Sequence, residues 1–354
     1  MIPRIPHPEH RPDWQALLAG AVRTTEELLR LLELDPQQLK IEPLAGNFPL
    51  RVPHSFVRRM TKGDIHDPLL RQVLPLVEET LQVAGYSHDP LAELAAMPSP
   101  GLLHKYHGRA LLTVTGACAI HCRYCFRRHY PYAEANPLTG HWEQSLDYLG
   151  RHPEINEIIL SGGDPLSLTD QRLREITMRL SALPQLQTLR IHTRLPIVLP
   201  ERVDDGLLAL LEQQRMKVVM VVHCNHANEI DSAVHDALQL LASTGAVLLN
   251  QSVLLRGVND SATRLIELSR AVFSAGVLPY YLHQLDRVQG AAHFAVDDLQ
   301  AISLVEAMRN ALPGYLVPRL VREQSGAAAK SPLPCSNNQT CCPPQSRECA
   351  STER

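Results

Sequence analysis

Three thiols lie within eight residues in the run Cys118-Ala-Ile-His-Cys122-Arg-Tyr-Cys125. Their C-x3-C-x2-C spacing lets one loop wrap a single inorganic centre, and thiolates are soft ligands that select iron–sulfur clusters, zinc or copper(I). A structural zinc site usually has four protein ligands, often in paired C-x2-C turns. Three thiolates on a four-iron cluster leave one iron open to a small molecule. The spacing therefore favours an open cluster over zinc or a loop of unrelated thiols.

The elements that must position these thiols are short β-branched runs, which alternate with amphipathic segments from about Gly108 onward. The spacing of about 30 residues is typical of βα units. Seven runs are predicted as strands, at 111–114, 157–160, 188–192, 218–222, 247–250, 277–281 and 316–321. Helical periodicity occupies intervals such as 173–183 and 261–274. The sequence predicts an α/β fold, an incomplete (β/α) TIM-like barrel, with a doubly wound open sheet as the alternative.

Polar residues follow the predicted strand ends, where parallel α/β folds place their active sites. After the thiols come Ser161-Gly-Gly-Asp164, His192-Thr-Arg194, His223-Cys-Asn-His226, Asn250-Gln-Ser, His283-Gln-Leu-Asp286, and then Glu323 and Lys330. Because the ends of parallel strands share one rim, these segments predict a single large site. The histidines among them are equally compatible with a structural, hydrogen-bonded role, and we assign them no function.

The chain divides into three predicted regions. Residues 1–103 are proline-punctuated and predicted to be mainly helical, with a capped amphipathic helix beginning near Thr24. Residues 104–330 hold the predicted barrel. Residues 331–354 form a polar, proline-rich tail that is predicted to be disordered. This tail carries four further thiols, Cys335, Cys341, Cys342 and Cys349.

Composition excludes several classes of function. The 354 residues include 34 basic and 37 acidic side chains, a net charge of -3, which gives no electrostatic case for binding nucleic acid or an anionic membrane. The N-terminal segment lacks the apolar core of a secretory signal, and the longest apolar runs are too short to span a bilayer. Clustered thiols indicate metal binding rather than disulfides, so we expect a reducing, cytoplasmic location.

Long motifs over about residues 20–334 resemble the lysine 2,3-aminomutase family of radical S-adenosylmethionine (SAM) enzymes. They include LLHKYHGRALLTVTGACAIHCRYCFRRHYPY, SGGDPL, RIHTRLPIVLPER, HCNHANEI and GYLVPRLVREQSGAAAKSPL. The segment FPLRVPHSFVRRMTKGDIHDPLLRQVL resembles the branch that acts for elongation factor P. The resemblance implies a radical SAM partial barrel and an isomerase, expected to be a homo-oligomer, that converts L-α-lysine to (R)-β-lysine. A partner ligase would then attach the product to elongation factor P.

The resemblance also implies the cofactors. A 4Fe-4S cluster on the three thiols would hold S-adenosyl-L-methionine at its open iron, and its methionyl end would meet the glycine-rich turn. The residues so implied are Cys118, Cys122 and Cys125 for the cluster and Ser161, Gly162, Gly163 and Asp164 for S-adenosylmethionine. Pyridoxal 5'-phosphate would be held as a Schiff base by Lys330, with Lys105 near its phosphate. Three alanines precede Lys330 where many members have glycines, so the backbone of this loop is expected to have less conformational freedom.

Substrate residues are implied in the same way. Arg127 matches the arginine that binds the substrate carboxylate through two parallel donors. Asp286 and Glu323 match the carboxylates that receive the side-chain ammonium, although most members have aspartate where Glu323 stands. Two acids about a lysine length from an arginine favour a dibasic amino acid. The alternatives are an aminomutase for glutamate or another amino acid, and a non-catalytic zinc protein that binds a partner.

Zinc is the weaker expectation. Some members of the family bind zinc with C-terminal cysteines and one cysteine from the barrel of a partner subunit. The matching barrel position is Ser261 here, and the tail thiols are irregularly spaced. One of the zinc ligands that the resemblance implies is therefore missing from this sequence.

Overall fold

The computed structural model describes residues 13–39, 41, 48–135 and 140–333. The strands are β1 Leu102–Tyr106, β2 Arg109–Thr115, β3 Glu157–Gly162, β4 Thr188–Thr193, β5 Lys217–Val222, β6 Val247–Val253, β7 Leu278–His283, β8 Arg319–Arg322 and β9 Ser331–Pro332. The α-helices are α1 Trp14–Ala19, α2 Thr25–Leu31, α3 His54–Val57, α4 Trp142–Arg151, α5 Asp170–Ser181, α6 Leu195–Val198, α7 Asp205–Glu212, α8 Ser232–Ser243, α9 Ala262–Ser274 and α10 Asp298–Ala311. Short 3-10 helices are Pro36–Gln38, Leu70–Gln72, Val77–Thr80, Leu94–Ala96, Pro165–Ser167, Pro200–Arg202, Ala227–Glu229, Ala292–Phe294 and Gly314–Leu316.

The described strands form one sheet whose spatial order follows the chain order from β1 to β9. Strands β2 to β8 are parallel to their neighbours, whereas β1 and β9 pair antiparallel at the two edges. A doubly wound sheet reverses its strand order at a switch point. Because this order never reverses, the structure is the incomplete barrel, and the prediction of that architecture is confirmed.

All seven predicted strands are present, as β2 to β8. The two edge strands were not predicted. Both are antiparallel additions outside the βα period, and β9 is only two residues long. The signal that identified the parallel strands was the alternation with helices, which neither edge strand shares.

Capping side chains fix where the helices that alternate with the parallel strands begin. Thr169 accepts a hydrogen bond from Arg172 N at 3.3 Å before α5, and Asp231 accepts from Val234 N at 2.9 Å before α8. Ser261 caps α9 in the same way, accepting from Arg264 N at 3.3 Å. These side chains satisfy amide groups that a helix start would otherwise leave unpaired. Ser261 therefore has a helix-capping role at the position where the expected zinc site would require a cysteine.

The N-terminal region packs on the barrel. Helix α2 begins after Thr24, which accepts from Glu27 N at 3.2 Å, so the predicted cap is confirmed. Phe56 and Leu70 are fully buried in the same apolar core as Leu112 of β2. Strand β1 extends across the predicted region limit at 103, and β9 lies just beyond the limit at 330, inside the predicted tail. The division into three regions stays a prediction.

The tail cysteines Cys335, Cys341, Cys342 and Cys349 lie outside the described residues. Zinc binding by them therefore stays a prediction. In the part of the chain that is described, no helix combines the length and apolarity that a bilayer crossing requires.

Candidate active site

A cavity of about 530 Å³ lies at the carboxyl ends of the parallel strands and reaches into the barrel. Every site residue predicted from the sequence lines it: Lys105, Cys118, Cys122, Cys125, Arg127, Ser161, Gly162, Gly163, Asp164, Asp286, Glu323 and Lys330. These residues come from the ends of five strands and from loops up to 225 positions apart in the chain, as Lys105 and Lys330 are. Tertiary folding therefore brings the predicted cluster loop, glycine turn and lysine to one site.

The three thiols lie on the loop after β2. Burial raises the pKa of Cys118 and, to about 11, that of Cys125, and repulsion between neighbouring thiols adds to both shifts. Such thiols ionise together only beside added positive charge, which bound iron would provide. In the described residues, no three His, Cys, Asp or Glu side chains converge on one metal ion. Each ligand of a cluster binds a different iron, so a cluster does not require that convergence. The donor set fits a cluster.

The glycine turn after β3 packs directly on the cluster loop. A Cβ on Gly162 would overlap the carbonyl oxygen of Thr115, and a Cβ on Gly163 would overlap that of Ala117. Gly162 also has a φ of 120°, a conformation that favours glycine. Gly163 N donates to Thr115 O at 2.7 Å, which joins the two loops. The glycines are therefore required for close backbone approach, whatever they contact in a cofactor.

Substituting Gly163 by alanine tests this packing. The added Cβ would meet the backbone of Ala117 and lie 2.8 Å from Gly116 C, so the cluster loop must shift. We expect a destabilisation of about 1–3 kcal/mol, as for other overpacked sites, together with reduced iron loading. Thermal unfolding and iron analysis measure both effects. Gly150→Ala in α4, where a Cβ meets nothing within 4 Å, is the matched control and should be neutral or stabilising. Equal behaviour of the two variants would contradict the packing role.

Asp164 uses both carboxylate oxygens within the protein. Oδ1 accepts from Thr193 Oγ1 at 2.7 Å and from Leu166 N at 3.0 Å, and Oδ2 accepts from Arg194 N at 2.7 Å and Leu195 N at 3.0 Å. The side chain thus holds the end of β4 against the glycine turn. Its predicted contact with S-adenosylmethionine stays a prediction, and the structure assigns the carboxylate this supporting role.

Arg194 reaches the cluster loop from the end of β4. Its Nη1 donates to Cys122 Sγ at 2.7 Å, and its Nη2 donates to Glu229 Oε2 at 3.0 Å and to Gln72 Oε1 at 2.7 Å. The sequence assigned no role to this arginine, because a lone arginine after a strand has no diagnostic spacing. The contact places a positive charge beside one predicted cluster ligand.

Lys330 and Glu323 form an ion pair in the wall of the cavity. Lys105 Nζ lies 3.4 Å from Glu323 Oε1, so two cations contact this acid. Burial alone would raise the pKa of Glu323, but Lys330 and Lys105 lower it to about 2. Glu323 is therefore ionised at neutral pH.

Asp286 differs from Glu323 in its electrostatics. Burial, followed by the nearby charge of Glu323, raises the pKa of Asp286 to about 7, although Lys330 opposes the shift. Of the two predicted ammonium receptors, Glu323 is consequently ionised at neutral pH, whereas Asp286 takes up a proton near pH 7. A cation entering the cavity would favour ionisation of both.

Arg127 is buried, and its guanidinium contacts Glu93. Arg127 Nε donates to Glu93 Oε2 at 2.7 Å and Nη2 donates to Glu93 Oε1 at 2.9 Å, while Nη1 donates to Ser161 Oγ at 2.9 Å. The sequence did not single out Glu93, because a lone glutamate in a helical region usually lies in solvent. The assignment of Arg127 to the substrate carboxylate stays a prediction.

The residues present also fit pyridoxal 5'-phosphate. Lys330 supplies the amine, and Lys105, Arg109 and Arg190 line the same cavity as cations suited to a phosphate. In the described part of the chain, His192 Nε2 and His283 Nε2 are buried without a hydrogen-bond partner. Burial lowers the pKa of His192 well below its usual value and that of His283 to about 3. These neutral imidazoles are therefore available to a bound molecule.

No family model matches the chain. It is 49% identical to the L-lysine 2,3-aminomutase of Escherichia coli over 91% of this chain and 95% of that protein. It is 44% identical to the Haemophilus influenzae protein of the same name, over 94% of this chain and 98% of that protein. The corresponding protein of Clostridium subterminale is 32% identical, over 91% of this chain and 77% of that protein.

Among solved structures, a radical SAM methyltransferase from Sphaerobacter thermophilus matches 64% of this chain and 71% of its own. The TM-score is 0.43 and the identity 16%, a likeness too distant to carry an argument. The sequence relatives cover nearly the whole described fold at substantial identity. The chain belongs to the L-lysine 2,3-aminomutase family of isomerases, which confirms the family predicted from its motifs.

Proposed function

We propose that the chain converts L-α-lysine to (R)-β-lysine with a 4Fe-4S cluster, S-adenosyl-L-methionine and pyridoxal 5'-phosphate. The observation that carries the proposal is the single cavity lined by the three thiols, Arg127, Lys330 and the acids Asp286 and Glu323. Three thiols, an amine and charges that match those of a dibasic amino acid thus line one enclosure, which supports the proposal. The names of the relatives support lysine as the substrate.

The bound cofactors would supply a carbon radical and an electron-delocalising ring, and the protein would position the substrate between them. Lys330 would hold the ring through its amine. Arg127 binds the α-carboxylate, and Glu323 exchanges the ammonium of Lys330 for that of the substrate side chain. Asp286 adds a second negative charge at the same end. Fixing both ends of the substrate would hold Cα and Cβ in place while the amino group of Cα and a hydrogen of Cβ exchange positions.

Charge selects the substrate. A lysine side chain brings an ammonium to Asp286 and Glu323, whereas a glutamate side chain would bring a third negative charge. Burying like charges together without a counter-ion is costly. This arrangement favours a dibasic amino acid over an acidic one.

The test is to incubate reduced, anaerobically reconstituted protein with a panel of amino acids and to identify β-isomers by mass spectrometry. We expect β-lysine from lysine and no β-isomer of glutamate. β-Glutamate formation would contradict the substrate assignment. A colourless protein that carries one zinc and splits no S-adenosylmethionine would contradict the enzyme assignment altogether.

The pH dependence of lysine binding should depend on Asp286. Because its pKa is raised to about 7, the group is largely protonated in more acidic solution and binds the ammonium only after losing that proton. Affinity for lysine should therefore fall by up to about tenfold for each pH unit below 7. Asp286→Asn removes the titrating carboxylate and with it this contribution to the pH dependence. The ratio of wild-type to variant affinity, measured by calorimetry from about pH 6 to pH 8, therefore gives the contribution of Asp286. A ratio that stays constant over this range would contradict the assignment.

We further propose that the β-lysine serves elongation factor P through a partner ligase in the cytoplasm, and that the enzyme is a homo-oligomer. The support is the resemblance of residues 48–74 to that branch of the family. Comparing turnover of free lysine with that of lysine already attached to elongation factor P would identify the true substrate. Turnover of neither in the presence of all cofactors would contradict this role.

A further inference from the structure

Glu93 and Arg127 form a buried ion pair at the wall of the cavity. Their side chains are 7% and 6% exposed, so neither charge is well solvated without the other. Burial alone would raise the pKa of Glu93, but Arg127, followed by Lys105, holds it below the usual value. Glu93 is therefore a charged group, and its carboxylate sits where it controls the orientation of the guanidinium.

The hydrogen-bond donors of Arg127 can be counted. A guanidinium has five N–H donors in one plane. Glu93 occupies the side formed by Nε and Nη2, and Ser161 takes one proton of Nη1. One proton remains on each of Nη1 and Nη2, the two nitrogens at the end of the fork. That pair of donors suits one further carboxylate.

We propose that Glu93 is a positioning residue for the α-carboxylate of the substrate. It occupies the side of the Arg127 fork, fixes the guanidinium plane, and leaves the two terminal nitrogens for the substrate. This inference rests on the proposed function, which makes Arg127 the carboxylate receptor. A guanidinium without this partner would rotate or attract another anion, and the substrate would then lose its fixed end.

Glu93 also connects the two ends of the substrate site. Lys105 Nζ lies 3.5 Å from Glu93 Oε1 and 3.4 Å from Glu323 Oε1. Charges therefore alternate from Arg127 through Glu93, Lys105 and Glu323 to Lys330. Removing the charge of Glu93 leaves Lys105 with Glu323 as a partner, so the effect should fall mainly on Arg127.

The experiment uses full-length protein loaded with pyridoxal 5'-phosphate and cluster, without S-adenosylmethionine, so that binding is measured without turnover. Calorimetry compares L-lysine with L-lysinamide, which has no carboxylate. Glu93→Gln should weaken binding of L-lysine by about 10- to 100-fold, the scale of a charge-assisted hydrogen bond. Binding of L-lysinamide should change much less. Glu93→Asp keeps the charge and should give an intermediate loss.

Two further variants sharpen the result. Asp170→Asn removes one of two carboxylate partners of another buried arginine, Arg202, outside the cavity, and should leave lysine affinity unchanged. In an Arg127→Lys background, Glu93→Gln should add little further loss, because both act on the same carboxylate.

Three outcomes would overturn the positioning role. Tighter lysine binding by Glu93→Gln would show that Glu93 competes with the substrate for Arg127. Equal losses for lysine and lysinamide would show a merely structural pair. Full lysine affinity in Glu93→Gln would show that Arg127 needs no partner. If the unaltered protein binds neither ligand, the proposed function fails, a result separate from any difference between variants. Should Glu93→Gln not fold, Glu93→Asp gives the same comparison.

Discussion

Replacing Lys330 by alanine should leave a protein that binds iron normally and has lost aminomutase turnover. Lys330 and Lys105 are the two lysines that line the cavity in the described part of the chain, and Lys330 forms an ion pair with Glu323 there. Without its amine, pyridoxal 5'-phosphate would be held only by non-covalent contacts, with no covalent anchor. We expect a loss of at least about 10³-fold in turnover, since fixed positioning contributes more than this to many reactions.

Two measurements separate this outcome from misfolding. Borohydride reduction of the loaded wild-type protein should add the cofactor mass to the peptide that contains Lys330, and the variant should show no such adduct. Lys217→Ala is the matched control, because Lys217 is exposed on β5 and donates to Gly245 O at 2.8 Å, away from the cavity. Turnover by Lys330→Ala at the wild-type rate would refute the assignment.

Replacing Cys122 by serine should abolish the iron–sulfur cluster. A serine hydroxyl is a hard, protonated ligand that iron–sulfur clusters do not favour. Mutating a residue that only orients a metal ligand lowers metal affinity by up to about 100-fold. Loss of a ligand itself should therefore lower iron affinity by more than about 100-fold. Iron analysis and visible absorbance after anaerobic reconstitution measure it, and cleavage of S-adenosylmethionine should disappear with the cluster.

Cys224 provides the matched control for this prediction. It is a free, fully buried thiol after β5, its Sγ donates to His226 O at 3.4 Å, and it does not line the cavity. Cys224→Ser should keep its iron, with any change confined to stability. Equal iron loss in both variants would show that the effect is misfolding, and retained iron in Cys122→Ser would exclude this thiol as a ligand.

The parallel strands and the capped helices could be predicted because their signals are local. A β-branched run, a helical period and a capping residue such as Thr24 act within a few positions of the chain. The signal for the cluster loop was equally local, since its three thiols fall within eight residues. The strand β1 was not predicted, because its pairing with β2 depends on contact with a neighbour rather than on its own residues.

Long-range partners decided the character of several site residues. Asp164 looked available for a cofactor, yet three donors at the end of β4 and one from its own turn occupy its carboxylate. The glycine turn looked like a ligand site, and the structure adds that backbone carbonyls of the cluster loop leave no space for a Cβ. No pattern in the sequence pointed to Glu93, because its interaction partner, Arg127, lies 34 positions away in the chain.

The sequence by itself determined the kind of chemistry and the order of the elements: three thiols on one loop, a lysine near the end of the barrel, and seven strands that alternate with helices. Those features depend on residue type and short spacing, which the chain carries directly. Only the tertiary structure decided which charges face each other, that Arg127 meets Glu93, and that Glu323 meets Lys330. Charge pairing and burial are properties of distances across the folded molecule, so they set the pKa of Asp286 and Glu323 only after the chain has closed around the cavity.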